Sequence, residues 1–218
     1  MKSDSDIKHD VEEELRADPE LDATDIGVAV TNGVVALTGF VKSSAEKLEA
    51  EAAAKRVAGV LGVANDLQVR LPSEDERPDP DIARDAAAAI KAMLHSAEEH
   101  IRAVVKNGWV TLEGQVEWDY QRKEAESAVH HIPGVKGVTN LIQLKPQDVN
   151  ASEIRRKIEE AFRRAAEIDA NRITVEMNDG EVILRGSVRT WAERREADRA
   201  AWAVPGVVSV KNEITISP

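Results

Sequence analysis

The sequence predicts an α+β fold in which three tandem αββαβ units each form a two-layer sandwich, with two helices on one face of a three-stranded mixed sheet. Three observations support this prediction: a threefold internal repeat, a helical pattern followed by a hairpin in each repeat, and a closing helix–strand pair. The chain has 218 residues, of which 42% are hydrophobic and 32% are charged, a composition typical of globular domains.

The repeat is clearest at the hairpins, where the strings NGVVALTG, NGWVTLEG and DGEVILRG begin at positions 32, 107 and 179. Offsets of 75 and then 72 residues superimpose the strings and align the rest of each unit without an insertion. We therefore place domains at 6–71, 81–146 and 153–218, called repeats 1, 2 and 3, with linkers at 72–80 and 147–152. The prolines and acidic residues of the first linker predict an extended spacer.

Each repeat opens with apolar residues spaced four apart, which is the spacing of one helix face. These residues are Ile7, Val11 and Leu15 in repeat 1, Ile82, Ala86 and Ile90 in repeat 2, and Ile154, Ile158 and Phe162 in repeat 3. Alternating apolar residues then flank an Asn-Gly or Asp-Gly pair, the strongest short-range signal for a type I′ hairpin.

A second helix is predicted after the hairpin, with Ser43 and Thr190 as N-caps in repeats 1 and 3 and alanines along the buried face. A glycine ends this helix, and a last strand completes the unit. The second strand, the second helix and the last strand should form a right-handed crossover. The pattern does not decide which strand is central.

Glycines and asparagines that recur in all three repeats are assigned structural roles in turns and at helix ends, because every copy of the fold needs them. They are Gly33, Gly39, Gly59 and Asn65 in repeat 1, Gly108, Gly114, Gly134 and Asn140 in repeat 2, and Gly180, Gly186, Gly206 and Asn212 in repeat 3.

The αββαβ order, the hairpin glycines and the endings AGVLGVAN, PGVKGVTN and PGVVSVKN resemble the BON (bacterial OsmY and nodulation) domain. The resemblance covers all three repeats. It implies a small α/β sandwich without enzymatic activity, found in proteins associated with osmotic and envelope stress. It also implies binding to phospholipid membranes, and in some cytoplasmic members a link to potassium.

The composition narrows the chemistry further. The absence of cysteine excludes disulfides, thiolate metal sites and a cysteine nucleophile, and a net charge of −11 argues against nucleic-acid binding. No nucleophile–base set or metal-ligand spacing is present, so we expect no catalytic residue, no metal and no cofactor. The five histidines align with polar residues of the other repeats and are predicted to be solvated.

No apolar run is long enough to cross a membrane, and the N-terminus lacks the apolar segment of a secretory signal. The sequence as written therefore predicts a cytoplasmic protein. A periplasmic location is expected only if a leader has been removed.

The four tryptophans are the main functional signal. Trp109, Trp118, Trp191 and Trp202 each occupy a column in which another repeat has a polar residue, so we expect none of them in the core of its own repeat. They are predicted to lie either at contacts between the three domains or on a surface that meets lipid headgroups or a protein partner.

Repeat 3 adds basic residues beside two of these tryptophans. The candidates are Arg155, Arg156, Lys157, Arg163 and Arg164 on its first helix, and Arg189, Arg194, Arg195 and Arg199 on or near its second. They could pair with glutamates one helical turn away, or they could form a basic surface for anionic phosphate.

The sequence therefore favours a non-enzymatic, stress-related accessory protein whose BON-like domains contact anionic phospholipid surfaces, mainly through repeat 3. One alternative is a protein-interaction scaffold or chaperone-like module whose tryptophans meet apolar client segments. A second alternative, suggested by the resemblance and the acidic first repeat, is a potassium-binding protein. Contacts between the three small domains are expected because each buries only a modest core.

Overall fold

The structure, a computed structural model, describes residues 2–73, 76–93, 101–145, 150–165, 170–178 and 181–217. It confirms the α+β class, with the order αββαβ in each repeat. The chain divides into two compact units, the first comprising residues 1–116 and 120–143 and the second comprising residues 117–119 and 144–218. The first unit holds repeat 1 and most of repeat 2.

The helices and strands follow in chain order. Repeat 1 contains α1 (Asp4–Ala17), β1 (Ile26–Thr31), β2 (Val34–Val41), α2 (Ser44–Arg56), β3 (Gly62–Asn65) and β4 (Gln68–Val69). Repeat 2 contains α3 (Asp79–Met93), β5 (Ile101–Lys106), β6 (Trp109–Val116), α4 (Asp119–His130) and β7 (Gly137–Leu144). Repeat 3 contains α5 (Ala151–Arg164), a short 3₁₀ helix (Ala170–Arg172), β8 (Ile173–Asn178), β9 (Glu181–Val188), α6 (Trp191–Trp202) and β10 (Val210–Ile216).

The second strand of each hairpin is the central strand of its sheet. The strand orders are β1-β2-β3, β5-β6-β7 and β10-β9-β8, and the short strand β4 continues β3 along β2. The hairpin strands pair antiparallel, whereas β3, β4 and β10 pair parallel with the central strand of their sheet. The parallel pairing follows from the helical crossover, which brings the chain back in the same direction.

The predicted helix faces form the cores. In repeat 3, Ile158 and Phe162 are almost fully buried against Val182 and Leu184 of the central strand. The second helix of the repeat contributes its alanines, including Ala197, so that its backbone lies close to the sheet. Both helices cover the same face of the sheet. The side chains of the opposite face are the ones free to differ between repeats.

The hairpin turns in repeats 1 and 2 have an additional support that the sequence did not reveal. Asn107 and Gly108 have φ angles of +54° and +78°, as a type I′ turn requires. The carboxylate of Asp79, at the start of α3, accepts hydrogen bonds from both turn amides at 2.7 and 2.9 Å. Asp4 does the same for the turn of repeat 1. The corresponding turn of repeat 3, with Gly180, lies outside the described residues.

The recurring asparagine connects the second helix to the last strand. In repeat 2, the Asn140 side chain donates to the carbonyl of Arg122 at 3.0 Å and accepts from the amide of Ile142 at 3.1 Å. Asn65 makes the equivalent pair of bonds in repeat 1. In repeat 3, Asn212 keeps the bond to its own strand.

Repeats 1 and 2 contact each other through a buried hydrogen bond. Ser44, at the start of α2, and His130, at the end of α4, are 3% and 6% exposed, and 2.6 Å separates Ser44 Oγ from His130 Nδ1. The prediction that the histidines are solvated is therefore wrong for His130, because a position on the surface of an isolated sandwich is buried where two sandwiches meet. Of the other histidines, His9 and His131 are exposed, and His95 and His100 lie outside the described residues.

Candidate functional site

The four tryptophans occupy different environments. Trp109 lies on β6 and is 50% exposed, whereas Trp118, Trp191 and Trp202 are half-buried. Trp202 packs against the core of repeat 3, so the expectation that no tryptophan contributes to its own core is wrong for this residue. An indole in the last turn of α6 is large enough to cover the rim of the core, which the lysine or histidine at this position in repeats 1 and 2 is not suited to do.

Many of the cations predicted as a basic surface in repeat 3 are held by glutamates of their own helix. Four ion pairs link residues three or four apart: Arg155 with Glu159 at 2.9 Å, Arg156 with Glu160 at 2.6 Å, Lys157 with Glu153 at 2.7 Å, and Arg199 with Glu196 at 2.5 Å. The hydrogen bond from Lys157 holds the pKa of Glu153 below its ordinary value. These cations are therefore already neutralised locally.

Arg194 has a structural role. Its guanidinium donates to the backbone carbonyls of Asn212 and Ile214, both at 2.9 Å, and so ties α6 to β10. The same guanidinium lies 5.2 Å from the centroid of the Trp191 ring, within the range of a cation–π contact. Trp191 is thereby fixed at the beginning of α6.

Five other arginines of repeat 3 are exposed and make no ion pair or side-chain hydrogen bond within the described part of the chain. They are Arg163, Arg164, Arg172, Arg189 and Arg195. Arg172 was not among the sequence candidates, because it lies alone in a connecting segment and belongs to no helical pattern. Only the folded chain brings it close to the others.

The topology places these five arginines at one end of repeat 3, which we call the arginine end. Helix α5 finishes at Arg164, and the 3₁₀ helix that ends at Arg172 leads directly into β8. Strand β8 starts opposite the end of β9, where the carbonyl of Arg172 approaches Gly186 so closely that a Cβ there would lie 2.0 Å from it. Arg189 follows β9, and α6 begins two residues later at Trp191.

The same end of repeat 1 has a different chemistry. The residues equivalent to Arg172 and Arg195 are Asp25 and Leu48, and the equivalent of Arg189 is Lys42, which is paired with Asp22 at 2.5 Å. The fold therefore does not require cations at this end. Arg163 also has a cationic equivalent in repeat 1, Arg16, which is paired with Glu12 at 3.3 Å. In the described part of the chain, repeat 3 therefore differs from repeat 1 in leaving its cations at this end outside ion pairs.

Metal and membrane-spanning sites are not indicated by the described residues. Within the described ranges, no group of three or more histidine and acidic side chains is placed to hold a metal ion. Among the helices described, none combines the length and the apolar character needed to cross a bilayer.

The fold and its repetition define a class: a protein made of small αββαβ sandwiches in tandem, without a recognisable catalytic set in the described residues. The family model of the BON domain matches residues 3–70, 78–146 and 150–218. The chain belongs to the BON domain family.

A curated relative and two solved structures show similarity to this chain. The osmotically-inducible protein Y of Escherichia coli (strain K12) is 35% identical over 148 residues, which cover 65% of this chain and 73% of that protein. A structure of CdsD, a structural protein of the type III secretion system of Chlamydia trachomatis, is 16% identical, covers 98% of this chain and 93% of its own, and has a TM-score of 0.29. The CdsD C-terminal domain is 15% identical with full coverage of both chains and a TM-score of 0.27. TM-scores this low do not indicate a shared fold.

Proposed function

We propose that this BON-domain protein is a non-enzymatic accessory protein of the osmotic-stress response that binds anionic phospholipid surfaces through the arginine end of repeat 3. The similarity to osmotically-inducible protein Y supports the stress role. The observation that carries the lipid assignment is the group of five exposed arginines at one end of one domain, none of which forms an ion pair with another residue that the structure describes.

Arginines in this state suit a phosphate-rich surface. A guanidinium can donate two parallel hydrogen bonds to a phosphate oxygen pair, and an arginine already paired with glutamate would first have to lose that partner. Each cation close to an anionic membrane contributes about 1 kcal/mol to binding. Two or three arginines in contact would therefore strengthen binding by more than about tenfold, and salt would weaken it.

The net charge of −11 strengthens the argument for a local site. An acidic protein is repelled by an anionic membrane as a whole, so binding requires a surface where cations are concentrated and unneutralised. Within the described residues, Arg163, Arg164, Arg172 and Arg189 meet this condition, whereas Arg195 lies close enough to Glu196 to help lower the pKa of that carboxyl. Glu193 is the acidic residue on the first turn of α6, and its carboxylate accepts a hydrogen bond from the Arg189 amide. Glu167 and Asp169 lie outside the described residues.

The experiment compares two variants of the full chain that lose the same charge. The first replaces the arginine end with glutamine at Arg163, Arg164, Arg172, Arg189 and Arg195. The matched control also substitutes glutamine at five positions, but at cations of repeat 3 that form ion pairs: Arg155, Arg156, Lys157, Arg185 and Arg199. Each is co-sedimented with phosphatidylcholine vesicles with and without phosphatidylglycerol, at low and high salt.

We expect the unaltered protein to bind only the phosphatidylglycerol vesicles, the first variant to bind at least about tenfold more weakly, and the control to retain most of the affinity. Equal losses in both variants would mean that net charge alone drives binding. Equal losses, or binding that is indifferent to phosphatidylglycerol and salt, would contradict the proposal.

A further inference from the structure

The open face of the repeat 2 sheet exposes a group of large apolar side chains, whereas on the open face of repeat 1 the residue at the position of Trp109 is the smaller Val34. Strand β6 turns Val110 and Leu112, both fully buried, toward the helices, so Trp109 and Glu113 point to the other side. Three large apolar side chains on this side remain about half exposed: Val104 at 53%, Trp109 at 50% and Leu141 at 55%. We call this surface, with Arg102 and Lys106 on the same side of β5, the Trp109 face.

The Trp109 ring is held flat on the sheet. Its Nε1 donates a hydrogen bond to Thr139 Oγ1 at 2.9 Å, and its six-membered ring lies over Gly137, where a Cβ would come within 2.6 Å of the ring. The ring is therefore fixed before any partner arrives, which reduces the entropy lost on binding. One surface of the indole is available to a partner.

In the part of the chain that the structure describes, the two cations of the Trp109 face are not held in ion pairs. Arg102 lies directly opposite Glu113 in the β5–β6 ladder, and Lys106 lies opposite Trp109. Within the described residues, neither cation forms an ion pair or a side-chain hydrogen bond. Cations that flank an exposed apolar group favour a partner that brings carboxylates around apolar side chains.

Repeat 3 shows what the same face looks like when it is satisfied internally. There, Arg185 pairs with Glu213 at 2.8 Å and with Glu176 at 2.5 Å, and Lys211 also pairs with Glu213. These charges cover the sheet, and the apolar Ile183 beneath them is only 7% exposed. The sandwich fold therefore does not require the exposed apolar side chains of the Trp109 face.

We infer that the Trp109 face docks an acidic amphipathic helix of a partner protein. In this chain, helices already cover the other face of each sheet. A partner helix can place leucine-type side chains on Val104, Trp109 and Leu141. Its carboxylates would then reach Arg102 and Lys106. A bilayer fits less well. The indole lies flat on the sheet with its N–H already bonded to Thr139, rather than projecting toward lipid headgroups.

The test uses a defined probe and a local signal. The probe is a synthetic helical peptide with leucines on one face and glutamates on the other, and its twin has lysine in place of every glutamate. Binding to the full chain is followed by the indole N–H resonances in ¹H–¹⁵N spectra. The Trp109 resonance is assigned as the one lost in Trp109→Phe.

We expect the acidic peptide to shift the Trp109 resonance saturably and the lysine twin to leave it unchanged. Paired Val104→Ser and Leu141→Ser substitutions should weaken binding at least about tenfold by removing two apolar contacts. Paired Arg102→Glu and Lys106→Glu substitutions should reverse the preference between the two peptides. Lys211→Glu, on the equivalent face of repeat 3, serves as the control and should have no effect.

Four results would overturn the inference, and three of them are no shift with the acidic peptide, equal shifts with both peptides, and a Trp109 shift produced by phosphatidylglycerol vesicles in place of the peptide. A shift that appears on raising the protein concentration alone would assign the face to a second copy of this chain, and would also overturn it. The vesicle experiment on the arginine end changes no residue of repeat 2, so the outcome of the peptide titration does not affect it.

Discussion

The hydrogen bond between Ser44 and His130 predicts that repeats 1 and 2 unfold as a coupled pair. Ser44→Ala removes the hydroxyl that bonds the imidazole, and His130→Phe keeps a ring of similar size while removing its polar atoms. The two side chains are 3% and 6% exposed, so water does not readily replace the lost partner. Ser44→Ala perturbs this contact between the two domains, whereas His130→Phe also removes the pairing of the imidazole with Glu126, which the double-mutant cycle subtracts.

The magnitude follows from this burial. A buried polar group that loses its partner costs about 1–3 kcal/mol, so each single substitution should destabilise the first unit by that amount. The double substitution removes both polar groups and should cost about 0.5–1.5 kcal/mol less than the sum of the singles, which is the net value of an ordinary hydrogen bond.

The tryptophans make the assay specific. All four lie in repeats 2 and 3, and none lies in repeat 1. In a chain with Trp191→Phe and Trp202→Phe, fluorescence reports only on repeat 2, so an effect of Ser44→Ala on the urea transition measures transmission from repeat 1. Ser73→Ala, at an exposed position of the first linker, serves as the control.

A coupling energy within error of zero in the double-mutant cycle would refute the reasoning. So would a repeat 2 transition that Ser44→Ala leaves unchanged while circular dichroism shows loss of stability in repeat 1. Either result would mean that the two sandwiches fold independently.

Three further predictions concern single positions. Gly39→Ala should destabilise repeat 1 by at least about 3 kcal/mol in thermal or urea unfolding, because φ is +113° and a Cβ would lie 2.0 Å from the Asp25 carbonyl; a loss below about 1 kcal/mol would contradict this. Asp79→Ala should cost about 1–2 kcal/mol by freeing two turn amides, whereas Asp79→Glu in the same assay should recover part of it if the carboxylate is what matters. A hydrogen bond from His130 and a second from the Asn140 side chain hold the pKa of Glu126 below its ordinary 4.5. The stabilisation from ionised Glu126 is present above pH 4.5 and is lost as the pH falls through the lowered pKa. Glu126→Gln should therefore flatten the acid limb of the stability–pH curve, and an unchanged limb would count against this prediction.

Much of the fold could be predicted because the sequence patterns that specify helices, strands and turns are local and recur in all three repeats. The four-residue spacing of Ile154, Ile158 and Phe162 corresponds to the buried face of α5 in the structure. The Asn-Gly pairs at positions 32 and 107 adopt the positive φ angles that a type I′ turn needs. Repetition also separated residues that the sandwich requires from residues that one copy has acquired.

The candidate sites were only partly predictable, because charge neutralisation depends on geometry. Arg155 and Arg163 look alike in sequence, yet Arg155 pairs with Glu159 and Arg163 makes no ion pair in the described part of the chain. The Trp109 face was missed for a related reason. Its residues come from three strands, and no sequence pattern joins Val104 to Leu141.

By itself, the sequence determined the number of repeats, their αββαβ order and the residues that build each core, because helix periodicity, strand alternation and turn chemistry act over short distances. The tertiary structure alone decided which strand is central, that His130 is buried against Ser44, and which cations form ion pairs with described carboxylates. These outcomes depend on contacts between residues far apart in the chain, whose distances are fixed only when the chain has folded.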